Sequence, residues 1–159
     1  MSDPRIALER VTKTYGAHQA LADVSLEIAA GEFLALVGAS GSGKTTLLKT
    51  INGLIRPDSG QVRIEVEAVG DLTPHLLRRR IGYVFQEVGL FPHLTVAENI
   101  AITPKLLGWD RARRAARAAE LLDLVALPQE MGGRFPGTLS GGQQQRVGVP
   151  RALAAEPHI

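Results

Sequence analysis

Cysteine is absent from the 159 residues, which removes disulfides and thiolate metal sites together. No apolar run approaches the roughly 18 residues that a spanning helix needs. Any membrane contact is therefore expected to be peripheral or made through a partner. Met1 to Glu9 contains no apolar signal core, and a cytosolic compartment fits. An excess of one charge is missing too. The 18 Lys and Arg stand against 16 Asp and Glu, a formal charge of +2, which calls for no nucleic-acid partner. The four histidines, His18, His75, His93 and His158, show no metal-ligand spacing. Repeats and low-complexity tracts are also lacking. What the chain does have is 45% hydrophobic and 21% charged residues, enough for a compact domain with a real core.

Hydrophobic periodicity orders the chain. Ile6 to Val11 and Ala20 to Ile28 alternate apolar and polar side chains and predict half-buried strands, with Thr14-Tyr15-Gly16 as a turn between them. Phe33 to Val37 is a continuous apolar run that predicts a strand buried on both faces. Lys44 to Ile55 has helical spacing, with Leu47, Leu48, Ile51 and Leu54 on one side. Gly53 weakens that helix and Pro57 stops it. Gln61 to Val66 and Ile81 to Phe85 predict strands, with a short helix over Pro74 to Arg80. Thr95 to Glu98 forms a possible capping box for a helix toward Ile102, ended or kinked by Pro104. Asp110 caps a longer helix to about Ala126, and Pro128 to Gly137 is a loop. Ser140-Gly141-Gly142-Gln143 is a second possible capping box with a helix after it.

One stretch carries specific chemistry. Gly38-Ala39-Ser40-Gly41-Ser42-Gly43-Lys44-Thr45 fits the P-loop pattern and stands between an expected strand and an expected helix. Glycines let the backbone wrap phosphate oxygens and turn its N–H groups inward. The helix start adds a positive dipole end. Lys44 supplies an ammonium for the β- and γ-phosphates, and the Thr45 hydroxyl, followed by Thr46, is placed for Mg²⁺. Kinases, GTPases, helicases and transport ATPases all share this cradle.

A second motif chooses among them. Leu139-Ser140-Gly141-Gly142-Gln143, continuing as Gln144-Gln145-Arg146-Val147, resembles the signature of ATP-binding-cassette (ABC) ATPases. A Ser and two glycines at a helix start offer a hydroxyl, bare N–H groups and a dipole to an anion, although the same residues also make an ordinary cap. The resemblance covers nearly the whole chain. It implies an α/β P-loop fold of the ABC ATPase type, with an N-terminal antiparallel β subdomain and a helical subdomain, incomplete at the C-terminus. The expected division is 1–86 for the β subdomain and P-loop core, 87–139 for the helical subdomain and 140–159 for the signature helix.

The resemblance also assigns roles. ATP and Mg²⁺ are the implied cofactors. Gly38, Ser40, Gly41, Ser42, Gly43, Lys44, Thr45 and Thr46 would hold the phosphates, and Tyr15 would stack on adenine. Gln86 would reach Mg²⁺ or the attacking water. Ser140, Gly141, Gly142 and Gln143 would face the ATP of a second subunit in a head-to-tail pair. Without the resemblance, Tyr15 reads as a strand-end residue and Gln86 as a polar loop residue. Gly89-Leu90-Phe91-Pro92-His93 would help receive a membrane permease, or else anchor the helical region as an apolar bend.

The similarity is nearest to importers of osmoprotectants such as glycine betaine, choline or carnitine. It is carried by 81–100, Pro104 to Trp109, Glu120 to Leu127 and Leu139 to Val149. It implies an energy-coupling ATPase on the cytoplasmic face of the membrane, bound to permease subunits and served indirectly by a solute-binding protein. A soluble ABC ATPase without a membrane partner and an inactive remnant are the alternatives. Two departures stand out. The Asp, Glu and His that such ATPases carry beyond this point are not among the residues, so little hydrolysis is expected. Pro150 stands where relatives carry Ala, and it should kink or shorten the signature helix. The basic clusters Arg78 to Arg80 and Arg111 to Arg117 read as solvated faces, with lipid or partner contact as the alternative.

Overall fold

A computed structural model describes residues 5–159. The chain forms two compact units, one ending at Arg78 and one running from Arg79 to Ile159.

The first unit is built on an antiparallel sheet of β1 (Ile6–Tyr15), β2 (His18–Ile28), β3 (Ser59–Ile64) and β4 (Glu67–Ala68), in the order β2-β1-β3-β4. The two expected hairpin strands form and extend further than the alternation suggested. They meet at Tyr15 opposite His18, across a turn that holds Gly16 at φ +57. In β1, Ile6 and Leu8 are buried, and the next buried apolar residue is Val11 rather than residue 10. An extra residue at a bulge explains the skip, because it resets which face each side chain takes. Arg10 takes φ +47, and the neighbouring Gly60 of β3 takes φ +81. A Cβ on Gly60 would lie 2.2 Å from the Arg10 carbonyl oxygen, so only glycine fits there.

Helix α1 (Lys44–Ile51) ends earlier than its periodicity indicated. Gly53 takes φ +66, Leu54 N–H donates to the Lys49 carbonyl at 2.9 Å, and Gly53 N–H donates to Thr50 at 3.2 Å. This closes the helix in a left-handed cap. Leu47 and Ile51 are buried as expected, whereas Leu48 and Leu54 are about half exposed. The short α2 (Pro74–Arg79) follows β4.

Phe33 to Val37 does not form the expected central strand. The segment pairs with no strand among the described residues, and Phe33 and Val37 are 92% and 93% exposed. An apolar run signals burial, but a strand also needs a ladder of neighbours. Ile81 to Phe85 is not a strand either, although its start makes two backbone bonds. Ile159 N–H donates to the Arg80 carbonyl at 3.3 Å, and Gly82 N–H donates to the Ile159 carbonyl at 2.7 Å. That exchange is the hydrogen-bond pattern of a parallel pair centred on Ile81.

The second unit is helical. Thr95 caps α3 (Val96–Ile100) with both bonds of a capping box. The Glu98 carboxyl is held below its usual range, first by the Thr95 backbone N–H and then by the Thr95 side chain. The helix breaks at Ala101 and restarts as α4 (Ile102–Leu106). Pro104 is the cause, since its ring clashes with the carbonyl four residues back, at Ile100, while its missing N–H is harmless in the first turn of α4. Asp110 accepts from Arg113 N–H at 2.9 Å and caps α5 (Arg111–Leu124). Two short 3-10 turns, Gln129–Gly133 and Pro136–Thr138, lead to α6 (Gly141–Leu153). The core gathers Val96 and Ile100 of α3, Leu121 and Leu122 of α5, Leu139 and Val147. Pro150 neither ends α6 nor stops it short: the helix runs on to Leu153, with Pro150 buried inside it.

Candidate functional site

The P-loop is formed by a sharp turn between residue 37 and α1. Gly43 is the N-cap of α1 at φ +87 and offers no side chain to the first N–H groups of the helix. A Cβ there would come within 2.2 Å of the Ala20 carbonyl oxygen on β2. The glycine therefore serves two purposes: a left-handed backbone, and close approach of the loop to the sheet. The first turn of α1 contains no acidic residue, so its dipole end is free for an anion.

Lys44 folds back over the loop. Its Nζ donates to the Gly38 carbonyl at 2.8 Å, to the Ala39 carbonyl at 2.6 Å and to Ser42 Oγ at 3.0 Å. All three acceptors are neutral, and among the described residues no carboxylate pairs with the ammonium. A cleft of about 190 Å³ opens here, lined by Tyr15, His18, Gly41, Ser42, Gly43, Lys44, Thr45 and Thr46. An open helix start, exposed loop glycines and an uncompensated lysine fit a chain of phosphates.

The cleft brings Tyr15 to the P-loop from the hairpin end. Tyr15 is 47% exposed, and Lys13 Nζ lies 5.6 Å from its ring centroid. Lys13 is held in turn by Asp58 at 2.7 Å, and Asp58 also accepts from Thr14 N–H at 2.7 Å. The Lys13 bond, then the Thr14 bond, keeps the Asp58 carboxyl below the ordinary aspartate value. From the sequence Lys13 and Asp58 have no role, and His18 is noted only as lacking metal-ligand spacing. The signal for His18 was its place across a two-residue turn from Tyr15.

The remaining site residues lie in the second unit. Ser140 caps α6: its Oγ accepts from Gln143 N–H at 3.3 Å, and Gln143 Oε1 accepts from Ser140 N–H at 2.9 Å. The Gln143 side chain is thus engaged in the cap, while Gly141 and Gly142 are exposed with open space where a Cβ would stand. Gln86 is exposed in the loop after Ile81. Asn99, buried on α3, pins the far side of that loop: it bonds the Phe91 N–H at 2.7 Å and the carbonyls of Phe91, Leu94 and Thr95 at 3.0 to 3.1 Å. A lone Asn in a short helix gives no warning of this in the sequence. Among the described residues no cluster of three or more His, Asp or Glu could hold a metal, and no helix is long and apolar enough to cross a membrane.

A P-loop motif at 38–45 and a Ser-Gly-Gly helix start at 140–142, carried by one chain, point to an ATP-binding cassette. The ABC transporter family model matches residues 21–159, and the chain belongs to that family. Its particular relatives are transport ATP-binding proteins. It is 54% identical over 155 residues to the Choline transport ATP-binding protein OpuBA of Bacillus subtilis (strain 168), a match covering 97% of this chain and 41% of that one. It is 49% identical over 154 residues to the Glycine betaine uptake system ATP-binding protein YehX of Escherichia coli (strain K12), covering 97% of this chain and 50% of that one. The chain thus spans half or less of the length of these relatives. Among solved structures, the dimeric ATP-binding cassette MJ0796 in a post-hydrolysis state bound to ADP and Pi is 41% identical. It matches at a TM-score of 0.85, over 96% of this chain and 70% of that one. The fold is therefore that of an ABC ATPase cassette.

Proposed function

We propose that this chain is the ATP-binding, energy-coupling part of an ABC importer for osmoprotectants such as glycine betaine or choline. The observation that carries the nucleotide reading is the cleft itself, where an unbalanced Lys44, an open helix start and an aromatic ring converge. The solute class is supported by the relatives, whose names specify choline and glycine betaine.

In this reading Lys44 leaves its carbonyl partners and bonds the β- and γ-phosphates, while the loop N–H groups from Gly38 to Thr46 surround them. Tyr15 stacks on the adenine and grips it through a π-face that reads little base identity. Among the described residues no acidic cluster is preformed, so Mg²⁺ would be held by the Thr45 hydroxyl and phosphate oxygens, with Gln86 as a further ligand. That matches the habit of Mg²⁺ of binding through few protein groups. Ser140, Gly141, Gly142 and the helix start capped by Gln143 would face the nucleotide of a second subunit. The dimeric state of the solved relative supports that pairing. Permease subunits would be the membrane partners, with the cassette peripheral on the cytoplasmic face and a solute-binding protein linked only through them.

Calorimetric titration with ATP, with and without Mg²⁺, tests the site. Mg²⁺ should tighten binding to the wild type by about tenfold. Thr45→Val should remove that gain and leave Mg²⁺-free binding near the wild-type level. Mg²⁺-independent binding by the wild type would contradict the role given to Thr45. Capture of the detergent-solubilised permease would support the transport reading over a soluble one.

A further inference from the structure

The loop bearing Gln86 has neither helix nor strand from Val84 to Leu90, so its order must come from side chains that reach it. They come from α6. Gly148 lets the helix lie against the loop: a Cβ there would stand 3.1 Å from Val88 Cγ1 and 3.9 Å from Val84 Cγ1. One turn further on, Arg151 Nη1 donates to the Gly89 carbonyl at 2.7 Å and Nη2 donates to the Val88 carbonyl at 2.5 Å. The same guanidinium lies 5.9 Å from the centroid of the Phe85 ring. Arg151 therefore touches residues on both sides of Gln86.

The chemistry of this contact is specific. Half-burial disfavours the charged guanidinium. A rigid fork that satisfies two successive carbonyls offsets that cost, and a lysine offers no such fork. Packing alone would have needed only an apolar side chain. The other end of the loop is held separately, from α3, by Asn99. The stretch nearest Gln86 thus takes its position from α6, the helix that Ser140 opens.

We propose that Arg151 is a positioning residue for Gln86, binding its loop to the signature helix so that the two shift as one body. The inference rests on the ABC ATPase reading given above. Its consequence is a link within one chain between two nucleotides. Ser140 and the glycines at one end of α6 meet the nucleotide of the second subunit, and Arg151 near the other end carries any displacement to Gln86, which serves the nucleotide of its own chain.

The test uses the full chain, with ATP affinity measured beside backbone amide hydrogen exchange, with and without Mg²⁺-ATP. Arg151→Met keeps the stem and removes both donors, and Arg151→Lys restores one charge without the fork. In Arg151→Met, exchange at residues 87–90 should rise by about tenfold and its slowing by Mg²⁺-ATP should vanish. ATP affinity without Mg²⁺ should remain within about twofold of wild type, because the P-loop is built in the other unit. Arg151→Lys should recover part of the nucleotide response. The proposal is overturned if Arg151→Met responds to nucleotide at 87–90 as the wild type does. It is equally overturned if the Asn99-pinned turn at 91–95 loosens as much as 87–90, since Arg151 would then only hold the fold together. Loss of ATP binding by the wild type itself would strike the ATPase reading instead, and this inference with it.

Discussion

At the scale of single residues, the cradle depends on glycines that do different work. Gly41 and Gly43 both take positive φ, at +80 and +87. Open space surrounds the position of a Cβ on Gly41, whereas one on Gly43 would meet the Ala20 carbonyl oxygen at 2.2 Å. Gly41→Ala should therefore cost only the backbone strain, about 1 kcal/mol. Gly43→Ala adds a clash with main-chain atoms that cannot swing away, and should cost at least about 3 kcal/mol. Denaturant titration of the two variants checks this. Equal losses would mean that the loop does not approach β2 as closely as described. The P-loop glycines were legible as a pattern, but which of them has no room for a methyl group depends on β2, more than twenty residues away. Asn99 was illegible for the same reason: its partners are loop carbonyls that only the folded turn brings together.

At the scale of elements, signals carried by neighbouring residues match the structure, as do the alternating strands of the hairpin, whereas two continuous apolar runs do not form strands. Both capping boxes, the Asp110 cap and the break ahead of Pro104 follow from residues within four positions of each other, and all four are found. The strands expected at Phe33 to Val37 and Ile81 to Phe85 failed because a strand is defined by its neighbours, and apolar content says nothing of where those lie. Pro150 costs α6 one backbone bond. It denies an N–H to the Arg146 carbonyl, yet the helix continues around it. Pro150→Ala should restore that bond and relieve the ring clash, worth up to about 3 kcal/mol in a helix interior. Removing buried ring atoms gives back about 1 kcal/mol, so a net gain of about 1 to 2 kcal/mol is expected. Thermal melting of the two proteins decides it. Unchanged or lower stability would mean that packing around the proline outweighs the missing bond.

At the scale of the whole molecule, the chain divides its chemistry between two units. One presents the P-loop, Tyr15 and the hairpin end. The other presents the helix start at Ser140 and the loop bearing Gln86. The family was legible because its two motifs are short, contiguous and chemically demanding. The cleft was only partly so, since Tyr15 and His18 join it through the register of a hairpin whose length the alternation understated. Everything proposed for the chain requires that the turn between residue 37 and α1 wrap a nucleotide's phosphates. Equilibrium binding of Mg²⁺-ATP to the folded chain, beside Lys44→Ala, tests it most directly. Binding by the wild type should be saturable and should weaken by about a hundredfold or more in the variant, since a charge-assisted contact to phosphate is lost from the centre of the cradle. Binding that is absent from the folded wild type, or unchanged by Lys44→Ala, would contradict it.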